Sequence, residues 1–408
     1  MFIAAGIALT GCHKTQEAKD DIDVFEISPI TIQKELSPEV KNTKHLKKFK
    51  VNLRGYDLSE LNLVDKEAEL LSSTFDRTTV WTEKLPESFD PYTILETCKS
   101  PGLNIESLHK NGITGNGVSI GFIDYGLLVN HKEFEGRIKM YEEIDYPYDM
   151  ASFHGGLVVS IAAGNDTGIA PNANIYAIGS TNYDTDSTEM KINLKSFAKA
   201  IDRFLEANKI LPGTEKIKVI SISCVWSPDD QGATEMKEAI QRASDEGVFV
   251  VSGRLFDTHG YYFYGLTINP NSDRNEFDSY TAYEWDHWLE LISHVENSPE
   301  YYAKRFAEDQ PEELILIPID SKTTAGPTGS EDYLYHGQGG WSSGIPYIAG
   351  VYALALEADP EITAGEFLSM VLETGVYREV KINDKSYDGK IIDSVKLIER
   401  IQDNRLAE

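Results

Sequence analysis

The chain of 408 residues is long enough for one large domain with appendages or for two domains, and its 41% apolar content supports a substantial core. Its 66 acidic against 38 basic residues give a formal charge of -28, which excludes a nucleic-acid-binding protein, because phosphates require a basic footprint. No run reaches the roughly eighteen apolar residues that a membrane-spanning helix needs.

FIAAGIALTGC, ending in Leu9, Thr10, Gly11 and Cys12, is an apolar run that stops abruptly at charged residues, so residues 1–11 read as a targeting segment rather than as fold. The run resembles a bacterial lipoprotein signal, which implies lipidation of Cys12 and an extracytoplasmic chain anchored to the cell membrane through that lipid. Cys98 and Cys224 are then the remaining thiols, compatible with a disulfide in an oxidising compartment and equally with two buried free cysteines. HKTQEAKDD reads as a flexible tether and KHLKKFKVNLRGYDLSELNLVD as the start of some structure. Residues 12–100 are thus a tether and N-terminal extension of unknown role, with no evident chemistry.

From Asn111 the pattern changes to strands alternating with helices. VSIGFID (118–124), NIYAIGS (174–180), IKVISIS (217–223) and GVFVVSG (247–253) are short β-branched runs bounded by Gly, Asn or Asp. Between them lie helical stretches such as GGLVVSIAAG and ATEMKEAIQRASDEG. That alternation predicts an α/β fold whose mostly parallel sheet is covered by helices on both faces, with any site at the carboxyl ends of the strands. Residues 255–313 interrupt the rhythm with an aromatic-rich insertion (YYFYG, SYTAYEWDHWLEL, YYAKRF), either packed or facing a substrate as a flap. In GGWSSGIPYIAGVYALALEADPEIT (339–363), Ile345, Ile348, Ala349, Tyr352, Ala353 and Leu356 fall near helical spacing. The helix is therefore entered through Ser342, beside backbone N–H groups and the positive end of the dipole.

Three residues stand at element ends. Asp124 closes the strand VSIGFID, His154 opens an apolar helix and Ser342 opens another. Each alone has a plain structural reading as a cap or boundary residue, but an acid, an imidazole and a hydroxyl together are what nucleophilic catalysis by serine requires. His131 and His336 are the rival bases.

NGITGNGVSIGFIDYGLLVNHKEF, FHGGLVVSIAAG with GIAPNANIYAI, and GGWSSGIPYIAGVYALAL resemble, in that order, the aspartate, histidine and serine blocks of the subtilisin-like serine proteases (subtilases, peptidase S8). GKIIDSVKLIE is similar to the family's closing strand-turn-helix, so the resemblance spans residues 101–402 and leaves 403–408 as a tail. It implies a three-layer subtilisin-like fold and hydrolysis of peptide or protein substrates through an acyl-enzyme. Ser342 would attack, His154 would carry the proton and Asp124 would hold the imidazole. It further implies that Gly340 allows close backbone approach and that the Ser342 N–H is one oxyanion donor. Ser223, Cys224, Val225 and Trp226, with Trp341, would line the substrate edge. Family members often bind calcium, but the sequence shows no convincing oxygen-ligand cluster, and no cofactor or metal is assigned.

The blocks depart from the family pattern at Tyr125, Gly156, Leu157, Trp341 and Gly344. Arg254 stands where the family places the oxyanion Asn, so it is the oxyanion candidate or, alternatively, an exposed loop residue. Val225 and Trp226 replace glycines. These departures imply restricted specificity, or, as the alternative function, a weak or inactive relative that binds a peptide or protein partner.

Overall fold

Apolar runs too short for helices, bounded by turn residues, become the strands of two large sheets. The computed structural model describes residues 52–184, 191–293 and 297–407, so the signal segment and Cys12 lie outside the described residues. Its strands are β1 (Thr74–Asp76), β2 (Ser119–Asp124), β3 (Ile138–Glu143), β4 (Asn174–Gly179), β5 (Ile217–Ile222), β6 (Phe249–Ser252) and β7 (Tyr262–Ile268). They continue with β8 (Tyr280–Ala282), β9 (Glu313–Pro318), β10 (Lys322–Ala325), β11 (Tyr333–His336), β12 (Val376–Ile382) and β13 (Lys385–Ile391).

The four runs expected as strands are β2, β4, β5 and β6, and with β3 they form a wholly parallel sheet in the order β3-β4-β2-β5-β6. Every residue of β2 is buried, which a strand achieves only when both faces are covered. Helices Lys195–Ile210 and Ala233–Asp245 pack together on this sheet as one layer, and helices Phe153–Ala163 and Trp341–Ala358 pack together as the other. The approach is close: a Cβ on Gly121 of β2 would lie 3.0 Å from the ring of Phe204. The result is a three-layer α/β fold. β4 and β5 flank β2 on opposite sides, so the carboxyl end of β2 is where the strand order reverses, the crevice in which such sheets place their sites.

The structure redraws three boundaries. Segment 255–313 is more than an insertion, because it supplies β7 and β8 to a second five-stranded sheet, β12-β13-β9-β7-β8, in which β9 pairs in parallel with both β7 and β13. Its aromatic run YFYGLTI is buried almost throughout, as suits a strand covered on both faces. Residues 403–407 are likewise part of the closing helix, Ser394–Ala407, rather than a tail.

Nor does position 100 separate folding units. Leu53, Leu58, Leu63, Leu70, Phe75 and Phe89 form a second apolar cluster that takes in Tyr333 and Tyr335 from the far end of the chain. β1 pairs antiparallel with β11, and the Phe75 ring lies 4.8 Å from Tyr335 and 5.2 Å from Trp81. Among the described residues no helix is long and apolar enough to cross a membrane.

Because Phe75 is fully buried at the centre of that cluster, Phe75→Ala is expected to lower stability by about 3–5 kcal/mol. Urea denaturation of the two chains measures this, and a loss below about 1 kcal/mol would show that the extension does not share the fold's stability.

Candidate active site

Asp124 leaves the sheet at the carboxyl end of β2, where its Oδ1 accepts the Tyr125 backbone N–H at 2.8 Å. The same oxygen lies 2.6 Å from Nδ1 of His154. His154 is held there by its helix: Ser152 caps it, its hydroxyl accepting the His154 backbone N–H at 3.1 Å. The helix start is pressed against its neighbours, since a Cβ on Gly155 would lie 2.5 Å from the Tyr125 carbonyl and one on Gly156 2.6 Å from the Ala325 carbonyl. This explains Gly156 where the family has a larger residue. Tyr125 meets the His154 ring edge-on at 5.8 Å and donates its hydroxyl to Asn182 Oδ1 at 3.2 Å. Burial raises the Tyr125 phenol, which keeps it a donor.

Ser342 is the second residue of helix Trp341–Ala358, and first-turn N–H groups have no carbonyl one turn earlier to bind. Pro346 would normally bond four residues back, to Ser342, but has no N–H to give. The vacant place is taken from another element: Ser223 Oγ donates to the Ser342 carbonyl at 3.0 Å. This bond fixes the serine to the residue that follows β5. Gly344 is small because a Cβ there would lie 2.5 Å from Ile317 Cδ1. At Gly340 a Cβ would meet open space, so this residue faces the cleft without the close contact expected of it.

One cavity of about 90 Å³ is lined by Asp124, His154 and Ser342, together with Ser223, Cys224, Val225 and Trp341. The structure thus gathers nearly all of the sequence-predicted site residues. Leu291 and Ile292, from the aromatic segment, close the same cavity, as does Asn182. No sequence signal marked these three except the general expectation of a substrate-facing flap. Cys224 is buried beneath, its thiol pushed up to about 12 by burial and bonded by the Asn182 amide at 3.2 Å. Cys98 lies elsewhere, 3.7 Å from Arg274 Nη1, and both thiols are free, which decides between the two alternatives for them.

Two predicted residues are not among the cavity's lining. Arg254 donates Nε to Asp257 at 2.7 Å and Nη2 to the Tyr301 hydroxyl at 2.7 Å, and its guanidinium lies over the Trp226 ring at 5.3 Å. It is a half-buried brace rather than an exposed loop residue, and Trp226 is the floor beneath it. Trp341 lines the cavity from within an aromatic stack, 4.4 Å from Trp288 and 4.6 Å from Tyr302, with Nε1 donating to the Trp288 carbonyl at 3.2 Å. Of the rival bases, His131 caps a turn, accepting the Glu133 N–H at 3.1 Å, while His336 Nε2 lies 3.1 Å from the Thr324 hydroxyl. Among the described residues no group of three or more His, Cys, Asp or Glu could hold a metal ion.

Residues 115–253 match the family model described as the subtilase family. Over those residues the chain is similar to the subtilases. Among its relatives, kexin of Saccharomyces cerevisiae is 26% identical over 321 residues, covering 72% of this chain and 34% of kexin. The dibasic-processing endoprotease of Yarrowia lipolytica is 24% identical over 306 residues, covering 70% of this chain and 29% of that protein. Human proprotein convertase subtilisin/kexin type 6 is 23% identical over 328 residues, 72% of this chain and 30% of its own. The matched region therefore spans about a third of the length of these relatives, 29 to 34%. A solved structure, the prenylagaramide maturation protease PagA, superposes on 73% of this chain and 98% of its own with a TM-score of 0.47 at 17% identity.

The brace formed by Arg254 has a measurable consequence. Arg254→Ala leaves Asp257 with Arg305 at 3.6 Å as its remaining cation and is expected to lower stability by about 2 kcal/mol. Thermal and urea unfolding test this. An oxyanion role would instead appear as a loss of about 10²- to 10³-fold in turnover with stability unchanged.

Proposed function

We propose that this chain is a serine endopeptidase that works through Asp124, His154 and Ser342. The observation that carries the reading is the 2.6 Å pairing of Asp124 with His154 Nδ1 at the wall of a cavity that Ser342 also lines. With Nδ1 bound to the carboxylate, Nε2 is left to take the Ser342 proton as the hydroxyl attacks a peptide carbonyl, and to return it to the leaving nitrogen. Asp124 holds the tautomer and stabilises the imidazolium. The Ser342 N–H, in the first turn of its helix, serves the developing oxyanion. With Arg254 engaged by Asp257 and Tyr301, no second side-chain donor is assigned, so turnover is slow relative to an enzyme having one.

The acyl side of the cleft is small, with apolar walls beside its polar residues. Its 90 Å³, walled by Val225, Leu291, Ile292 and Ile345, suits a small uncharged side chain before the scissile bond. A dibasic substrate, which the Yarrowia relative's name announces, would need carboxylates here; the one among the described lining residues, Asp124, is held by His154. Residues 2–12 support a lipid anchor at Cys12 and action outside the cytoplasm on peptide or protein substrates. A second reading, a cleft that binds a peptide without cleaving it, is favoured by the placement of Arg254.

A fluorophosphonate probe distinguishes the two. The folded chain is expected to label and Ser342→Ala to lose all labelling, whereas a folded chain that takes up no probe is a binding module. Asp124→Asn is expected to retain the fold and lower kcat on a peptide substrate by about 10⁴-fold, because it presents the wrong imidazole tautomer. A loss below tenfold would remove Asp124 from the mechanism.

A further inference from the structure

A second cavity, of about 360 Å³, also reaches His154 and Ser342. It is shared by Phe153, Ser343, Gln338 and the N-terminal residues Asn52, Arg54 and Thr74. It contains none of Ser223, Cys224 or Val225, which follow β5 and wall the first cavity. Under the proposed peptidase reading, on which this inference rests, the acyl part of a substrate lies along those residues. The leaving amine must then depart past His154, which protonates it, and so enters the second cavity.

Among the described residues lining this second cavity, the one fixed charge is Arg54. Its position is built. Leu53 is fully buried, its N–H donates to the Thr74 carbonyl at 2.7 Å, and its carbonyl accepts the Thr79 hydroxyl at 2.9 Å. Thr74 is in turn paired with His336 across β1 and β11, so the segment is fastened to the strand that leads into the serine helix. Arg54 Nε donates to Asn52 Oδ1 at 3.0 Å, and the guanidinium lies 5.4 Å over the Phe153 ring, next to His154. Asp76 supplies nearby negative charge, yet it does not line the cavity, and its Oδ1 accepts the backbone N–H and hydroxyl of Thr78 at 2.9 and 2.5 Å. A half-buried guanidinium has five donors in a planar fork that matches a carboxylate. In a chain of net charge -28, whose field opposes acidic ligands, a cation held at the departure side of the serine offers local compensation for a substrate anion.

We infer that Arg54 is a specificity-determining residue that binds a carboxylate on the leaving-group side of the scissile bond. Two sources share that chemistry: an Asp or Glu side chain at the first or second position after the bond, and the terminal carboxylate of a substrate cut near its end. The full chain is assayed on matched quenched peptides carrying Glu, Gln or Lys at each of those positions, and on short peptides ending in carboxylate or amide. Glu is expected to exceed Gln by about tenfold in kcat/KM, with the advantage lost in Arg54→Met, retained in Arg54→Lys and transferred to Lys in Arg54→Glu. An advantage confined to the free carboxylate assigns the site to chain ends, and one confined to Glu assigns it to side chains.

The same peptides are titrated against Ser342→Ala by fluorescence anisotropy, so that the subsite is read without chemistry. Discrimination in binding that vanishes in Ser342→Ala/Arg54→Met supports the inference even where no peptide is cleaved and no probe is taken up, a result that would fail the peptidase reading alone. Equal Kd values for Glu, Gln and the two chain ends, or a Glu preference that survives Arg54→Met in a chain of unaltered melting temperature, overturn it.

Discussion

A single short hydrogen bond, His154 Nδ1 to Asp124 Oδ1, ties a wholly buried strand of the parallel sheet to the helix that covers it. Its geometry depends on everything around it. β2 must end at Asp124, Ser152 must stop the helix one residue before Phe153, and Gly155 must allow the Tyr125 carbonyl to approach to a distance no side chain would permit. The carboxylate is nearly sealed from water while the imidazole keeps partial access to the cleft. That asymmetry suits a pair in which one member orients and the other exchanges protons. The serine is added from a third direction, through a helix whose proline leaves the Ser342 carbonyl to be bound by Ser223.

One side of the cleft is backed by aromatic residues. Trp341, directly before the serine, is pinned by Trp288 and Tyr302, and Phe263 of β7 meets it edge-on at 5.2 Å. These rings come from the segment that also supplies Leu291 and Ile292, so the stack carries two apolar residues to the mouth of the cavity. Arg254, just after β6, is not among the residues lining this space; its partners Asp257 and Tyr301 bind the same segment to the parallel sheet. The placement of Arg254 and the aromatic wall are thus joined through one segment.

The parallel sheet and the three blocks were legible because their signals are local: β-branched runs between Gly and Asn, and residues of unlike chemistry at element ends. What escaped depends on contacts between distant segments. β1 is three residues long, too short to show alternation, and becomes a strand because β11, more than 250 residues away, offers it an edge. The role of Arg254 was read from alignment with a motif, and a motif position does not say where a long flexible side chain points; Asp257, one helical turn on, decided that. Leu291 and Ile292 look like ordinary core residues until the fold places them opposite Ser342.

The N-terminal region changes meaning once its partners are known. Phe75 and Leu53 bury themselves against Tyr335 and the cluster around it, and the strand they pair with ends four residues before Gly340. Packing energy gained far from the chemistry therefore also positions the loop that presents the serine. A chain lacking residues 52–98 would expose the Tyr333 and Tyr335 rings and lose one wall of the second cavity together with its cation. Stability and the shape of the second cavity are coupled through the same few apolar contacts, so changes at Leu53 or Phe75 reach that cavity through Arg54 before they reach Asp124, whose hydrogen bond rests on the parallel sheet.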